Sequence, residues 1–231
     1  MKEFEVSSLD EFVRVTGDNF QYGHLFRGVE DVEHHKLIPS VGRYFEKYKE
    51  KGFTKTDFLK DEQDSFRVFY KEARNRTNAN NYWEWLAIAQ HHGLATRLLD
   101  WSFNPLISLY FAISRNVDAD SCVYVVDQNI KFISTSEEES LDPFRVKEVR
   151  AYLPTHVTDR IRAQSGLFTI QPDPSIALDE YIVGKIIIKK DSKQTMKHRL
   201  GLMGVHQKSV FPDLDGLSGW IRWMKFDSLE Y

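Results

Sequence analysis

The chain has 231 residues, of which 42% are hydrophobic and 28% are charged, and its formal net charge is −3. This length suits one large domain or two small ones with a continuous core. The charge excludes a whole-chain positive field that would attract nucleic acid or membranes. One cysteine, Cys122, excludes an intrachain disulfide and a cysteine-rich zinc site. No run approaches the roughly 18 apolar residues of a membrane span, and the first residues lack a signal-peptide apolar core. We therefore expect a cytoplasmic protein of bacterial type without a membrane partner.

The first third of the chain predicts two helices and one strand. The elements are a short helix capped by Ser7 or Ser8, a strand over residues 24–29, and a long amphipathic helix that begins at Thr54 or Thr56 and ends near residue 74.

The densest apolar run covers residues 82–112 and predicts two helices around a short irregular or extended passage. Apolar positions at helical spacing predict the first helix, and Gly93 ends it in a left-handed conformation. Asn104 or Ser102 caps the second helix, with Pro105 near its first position. That second helix is apolar on all sides, so we expect it to be buried.

The second half of the chain alternates strands with short helices. Strands are predicted over residues 121–126, 130–134, 148–153, 167–171 and 181–189, and helices from Thr155 or Thr158 to about residue 163 and over residues 193–202 and 213–226. We therefore expect an α+β fold of a single domain, residues 1–231, with helices early and late around one mixed or largely antiparallel sheet.

Polar residues lie between the two central helices and leave two interpretations open. An unpaired buried polar group costs roughly 1–3 kcal/mol, so Thr96, Arg97 and Asp100 form either a buried ion pair with a hydroxyl or the wall of a ligand site. In the second case Thr96 and Arg97 face the ligand, and Asp100 orients Arg97 or a histidine. Trp101 and Tyr110 are then a stacking wall, whereas in the first case they are core residues.

Arg27 and the adjacent His91 and His92 are further candidates. Arg27 ends a short strand next to Gly28, where the missing side chain lets a ligand approach, and its planar guanidinium is suited to a phosphate or diphosphate. The alternative is a structural ion pair with Asp100. One histidine would line the site while the other caps the helix end, and we assign a catalytic role to His92. Adjacent histidines point about 100° apart on a helix and do not chelate one ion easily, so we expect no metal site.

The central motif resembles a known family. Residues 90–112, QHHGLATRLLDWSFNPLISLYFA, are similar to the signature of the FRG domain, which is named after a Phe-Arg-Gly that this chain has at residues 26–28. Residues 160–172 and 209–221 also resemble the family. The resemblance covers nearly the whole chain and implies a single FRG-type domain over residues 1–231.

The strand-Arg-Gly context is also similar to that of a dinucleotide-binding arginine in some ADP-ribosyltransferases. This resemblance implies an ADP-ribosyltransferase-like fold, with NAD as the substrate and no metal. In that fold a late strand carries a glutamate that stabilises the ribosyl cation, and Gln164 falls in its place here, although glutamine carries no charge. Glu148 and Glu180 are the nearest carboxylates. The implied catalytic residues are Arg27, Gln164 and His92, and the implied NAD contacts are Arg27, Gly28, Thr96, Arg97, Trp101 and Tyr110.

Two functions follow from the resemblance. The first is an NAD-dependent ADP-ribosyltransferase-like effector, or an NAD glycohydrolase, that cleaves the nicotinamide glycosidic bond. Such an effector, of toxin or phage-defence type, would modify a protein or nucleic acid and be restrained by an antitoxin or inhibitor protein. The second is a non-catalytic module that binds a nucleotide or a partner. A carboxylate close to Arg27 in a cleft would favour the enzyme.

Overall fold

The computed structural model describes residues 1–115, 117–155 and 158–227. Their strands form a seven-stranded sheet in the order β1-β7-β4-β2-β3-β6-β5. The β1–β7 pair is parallel and the other neighbouring strands are antiparallel, so the predicted α+β fold with a mixed sheet is confirmed. The strands are β1 Lys2–Val6, β2 Leu25–Val29, β3 Leu98–Ser102, β4 Ser121–Val126, β5 Arg150–Tyr152, β6 Gly166–Ile170 and β7 Ile182–Ile188.

Ten α-helices surround this sheet in the described part of the chain. The predicted caps at Ser8, Thr54 and Asn104 are confirmed, because each side chain accepts a hydrogen bond from a backbone N–H two or three residues ahead. Gly93 follows the fourth helix with a φ of 88°, in the left-handed region predicted for it. The helices are α1 Leu9–Asn19, α2 Phe45–Glu50, α3 Lys55–Ala73, α4 Tyr82–His91, α5 Pro105–Ile113, α6 Thr135–Ser140, α7 Asp159–Ala163, α8 Lys193–Leu202, α9 Gln207–Val210 and α10 Leu214–Arg222.

Several segments differ from the sequence prediction, which does not include the short helices α2 and α9. Residues 2–6 form β1, a mostly exposed and charged strand whose partner β7 lies near the other end of the chain. The strand predicted at residues 130–134 is reduced to an isolated bridge between Phe132 and Ala151. Residues 135–140 form α6, where Ser134 and Glu137 make a capping box. The strand β1 and the bridge at Phe132 depend on partners that are distant in sequence. The local periodicity of the sequence does not reveal such partners.

The central helix α5 is the structural centre of the core, as its apolar sequence predicts. It buries Ile107, Leu109 and Ala112 against Phe26 of β2 and Val123 of β4. Burying a side chain of this kind stabilises the fold by roughly 1.5–3 kcal/mol. Helices α3 and α4 form a second cluster against β3, β5 and β6. The two clusters hold β2 and β3 side by side, and the polar residues of these strands are placed by that packing.

Gly28 allows α5 to lie directly on β2. A Cβ atom at this position would be 1.9 Å from the carbonyl oxygen of Ser108 and 2.7 Å from the backbone nitrogen of Ala112. The space beside Gly28 is therefore filled by helix backbone. The prediction that Gly28 makes room for a ligand is wrong on this face, because the close approach it permits is that of α5.

Gly28→Ala is expected to destabilise the protein by about 3 kcal/mol, because the added methyl group meets backbone that has no room to move. Urea unfolding followed by circular dichroism measures this. Gly17→Ala is a matched control inside α1, since a Cβ there meets nothing within 4 Å, and it should be neutral or stabilising by up to about 1 kcal/mol. A Gly28→Ala midpoint equal to that of the wild type would contradict the packing described above.

Candidate functional site

A cleft of about 510 Å³ opens beside β2 and β3, between the end of α4 and the helices α5 and α7. Four of the residues predicted for the site line this cleft: Arg27, Gly28, Trp101 and Gln164. They come from segments far apart in sequence that strand pairing brings together, because β3 lies between β2 and β6. The cleft is the candidate site.

Arg27 is the middle residue of β2 and does not end the strand, as was predicted, because the pairing with β4 continues through Val29. Its side chain reaches the cleft and is held there by β3. Its Nη1 donates to the carbonyl oxygen of Asp100 at 2.7 Å and lies 3.4 Å from Asp100 Oδ2. The Arg27 side chain is 19% exposed. Burial lowers the pKa of Arg27, Asp100 opposes this, and the charge of Arg43 lowers it further, but a guanidinium remains charged at physiological pH. The result is a fixed positive charge on the cleft wall.

Asp100 is a partly exposed carboxylate and not the buried residue of a core ion pair. Its side chain is 61% exposed. Oδ1 accepts a hydrogen bond from Gln90 Nε2 at 2.7 Å, while Oδ2 faces Arg27. The cleft therefore holds a carboxylate next to the arginine.

Arginines outnumber carboxylates among the described residues that line the cleft. Glu30 pairs with Arg115, with Oε1 3.5 Å from Arg115 Nε. Asp100 pairs with Arg27. Arg43 and Arg160, which also line the cleft, have no carboxylate within ion-pair distance in the described chain. The excess of positive charge suits an anionic ligand.

Sequence reasoning missed these other charged residues. Arg43 lies in a short 3-10 helix before α2, Arg115 follows α5, and Arg160 is the second residue of the short helix α7. Arg43 and Arg115 stand in no motif, and Arg160 begins the family-like stretch 160–172 without a pattern that marks it as a site residue. The guanidinium of Arg160 lies 4.2 Å from the ring centroid of Phe211, a cation–π contact that only the folded chain brings together.

Thr96 and Arg97 are buried away from the cleft, at 1% exposure each. Arg97 pairs with Glu62 of α3, through Nε–Oε1 at 2.8 Å and Nη2–Oε2 at 2.5 Å, and not with Asp100. Its guanidinium also lies 4.9 Å from the Phe144 ring. Both residues were predicted as NAD contacts, and the structure does not bring either side chain to the cleft. They belong to the core, as the alternative interpretation held.

The histidine at the cleft is His91 and not the predicted His92. His92 is the exposed C-cap residue of α4, and the two rings lie 5.0 Å apart at nearly right angles. Burial is the largest cause that lowers the pKa of His91, and the charges of His92 and Arg160 lower it further. Asp213 acts in the opposite direction and raises it. A second histidine, His35, also lines the cleft, and its buried Nδ1 has no hydrogen-bond partner in the described residues.

Gln164 lines the cleft, but its side chain is already engaged. Nε2 donates to the carbonyl oxygen of Val210 at 3.2 Å, and the Gln164 carbonyl accepts from the Ser102 hydroxyl at 2.7 Å. Glu148, one of the carboxylates considered as a replacement, pairs with Lys131 and Arg150 outside the cleft. Among the residues that the structure describes, the carboxylates lining the cleft are Glu30 and Asp100.

The two aromatic residues predicted as NAD contacts, Trp101 and Tyr110, lie in different cavities. Trp101 lines the cleft but is 3% exposed, and its indole N–H donates to Thr169 Oγ1 at 2.8 Å. Tyr110 lies in another cavity, between α5, α8 and α10, where burial raises its pKa to about 12. Tyr110 is therefore not part of a stacking wall in this cleft, because it projects from another side of α5.

Among the described residues there is no group of three or more histidine, cysteine, aspartate and glutamate side chains that could hold a metal ion. In the same part of the chain, each helix is too short or too polar to cross a lipid bilayer.

Comparison with known families connects this cleft to a domain. The family model described as the FRG domain matches residues 23–121. The chain contains an FRG domain. The matched region includes β2, α4, β3 and α5, and hence the FRG-domain residues Arg27, Gln90, His91 and Asp100 of the cleft wall. Searches of curated proteins and of solved structures found no match.

The lowered pKa of His91 predicts a pH-dependent contribution to stability. As the pH falls below the ordinary histidine value of 6.5, the unfolded chain takes up a proton that the folded chain resists, so His91 makes the fold less stable toward acid. His91→Gln should therefore lose less stability than the wild type between pH 7 and pH 5. Urea unfolding at both pH values measures the difference, and an identical loss in the two proteins would contradict the assignment.

Proposed function

We propose that the cleft of the FRG domain binds a nicotinamide dinucleotide through its diphosphate. The observation that carries this proposal is the pair of arginines, Arg27 and Arg43, that line the cleft. Arg43 has no carboxylate partner in the described residues, and its charge acts directly on Arg27. Two guanidiniums at one site suit a diphosphate, which accepts charge-assisted hydrogen bonds from both.

The proposed reaction is cleavage of the bond between ribose C1′ and the nicotinamide nitrogen. The electron pair of this bond leaves with neutral nicotinamide, and the ribose becomes an oxocarbenium ion. Asp100 supplies negative charge in the cleft beside Arg27, and such electrostatic stabilisation is the main requirement of this transition state. Water or an acceptor hydroxyl then adds to C1′ and releases a proton to solvent. The product is ADP-ribose or an ADP-ribosylated acceptor.

The biological setting is proposed from the resemblance alone. We assign the domain to a bacterial effector of toxin or phage-defence type that acts in the cytoplasm on a protein or nucleic acid. An antitoxin or inhibitor protein would restrain it. The likeness to ADP-ribosyltransferases rests on the strand, Arg27 and Gly28.

A second function, a non-catalytic nucleotide-binding module, is favoured by one specific observation. Both oxygens of Asp100 are already engaged, Oδ1 by Gln90 and Oδ2 by Arg27. Gln164 is likewise bonded to Val210 and is uncharged. A cleft with these contacts can hold a nucleotide without breaking a bond in it.

Incubation of the purified chain with NAD separates the two functions. The enzyme releases nicotinamide, which chromatography detects, and Asp100→Asn reduces the rate by about 100-fold. The binding module holds ADP-ribose in calorimetry without releasing nicotinamide. A protein that neither binds ADP-ribose nor releases nicotinamide would overturn the proposal.

A further inference from the structure

Gln90 connects the buried core to the cleft. Its Nε2 donates to Asp100 Oδ1 at 2.7 Å, and its Oε1 accepts from the hydroxyl of Thr96. Thr96 Oγ1 in turn accepts from the backbone N–H of Leu98 at 3.2 Å. A carboxylate only accepts hydrogen bonds, so this chain of contacts fixes which end of the Gln90 amide faces Asp100. Gln90 is thus anchored from the buried side and holds Asp100 from the cleft side.

The two arginine–carboxylate pairs of this region have different geometries. Arg97 and Glu62 form a forked pair with two short contacts, 2.8 and 2.5 Å. Arg27 and Asp100 make one side-chain contact of 3.4 Å. Arginine and carboxylate frequently form the forked arrangement. The difference coincides with Gln90, which engages the other oxygen of Asp100.

We propose that Gln90 is a positioning residue that keeps the guanidinium of Arg27 open to phosphate by holding Asp100 back. All hydrogen bonds of Arg27 side-chain atoms to described residues come from Nη1, so the other donors face no competing acceptor there. Without Gln90, Asp100 turns and closes a forked pair with Arg27. The inference rests on the proposed function, because it takes the diphosphate as the ligand of Arg27.

Calorimetric titration with inorganic pyrophosphate tests this role. Gln90→Ala is expected to bind about tenfold more weakly than the wild type, the effect of one competing charge-assisted contact. Adding Asp100→Asn to Gln90→Ala should restore the affinity of the Asp100→Asn single variant, because the competing charge is gone. Gln128→Ala, at an exposed position outside the cleft, is the matched control and should equal the wild type.

The possible outcomes distinguish a failure of the role proposed for Gln90 from a failure of the proposed diphosphate binding. Wild-type protein that binds no pyrophosphate overturns both. Wild-type binding with equal affinity in Gln90→Ala overturns the inference alone. A weakening in Gln90→Ala that Asp100→Asn fails to restore also overturns it, since a general structural defect at α4 would behave in that way.

Discussion

Arg27→Ala is expected to weaken ADP-ribose binding by at least about 100-fold, because it removes a guanidinium that makes charge-assisted bonds of roughly 1.5–3 kcal/mol each. The fold should be largely retained. Arg27 is bonded to Asp100, whose side chain is 61% exposed, so the substitution leaves no buried charge without a partner. Calorimetry and thermal melting on the same sample measure both quantities.

Arg27→Lys is the matched variant for this prediction. Lysine keeps the charge but lacks the planar fork, so we expect affinity between those of the wild type and Arg27→Ala. An Arg27→Ala protein that melts far below the wild type would make Arg27 a structural residue. One that melts normally and still binds ADP-ribose would remove it from the site.

Glu62→Ala is expected to cost about 3–5 kcal/mol of unfolding free energy, because it leaves the charge of Arg97 buried without its partner. Each side chain of this pair is 2% exposed. Arg97 Nη1 already lacks a hydrogen-bond partner in the described residues, so no nearby acceptor replaces the lost carboxylate. Urea unfolding monitored by tryptophan fluorescence measures the change.

Asp100→Ala is the control for the Glu62 experiment. Asp100 lies on the cleft surface, where an ion pair contributes about 1 kcal/mol or less, so this variant should unfold close to the wild type. If Asp100→Ala were the more damaging substitution, the buried ion pair would have been assigned to the wrong carboxylate.

The elements of the core were predictable because their signals are local. A buried all-apolar helix after Asn104-Pro105, a left-handed Gly93 and a strand around Arg27 need only neighbouring residues for their prediction. The strand β1 was not predictable in this way, because its partner β7 lies near the other end of the sequence. Three of its five side chains are charged and exposed, and its two apolar residues form too short an alternation to predict a strand.

The partner of Arg97 shows where the sequence signal was present but overlooked. Glu62 lies four residues from Phe58 and four from Phe66, all three buried on one face of α3. A charged residue within an apolar stripe at helical spacing requires a buried partner. Proximity in sequence favoured Asp100 instead, and only the packing of α3 against α4 places Glu62 at Arg97.

Some residues that line the cleft were predicted from the sequence, and others were not. Arg27, Trp101 and Gln164 were found from motif chemistry and resemblance, and strand pairing brings them together. Arg43 stands in no motif, and Arg160 begins a family-like stretch that does not mark it as a site residue, so their contribution to the positive charge follows only from the fold. The sequence predicted His92 at the cleft, and the structure places His91 there. The two positions differ by about 100° around the axis of α4, and the sequence pattern did not distinguish them.

A crystal structure of the protein soaked with ADP-ribose tests the central claim most directly. The account predicts the diphosphate in the cleft, within hydrogen-bond distance of both Arg27 and Arg43, with the ribose C1′ toward Asp100. A diphosphate bound elsewhere on the protein, or a cleft that stays without ligand at saturating ADP-ribose, would contradict it.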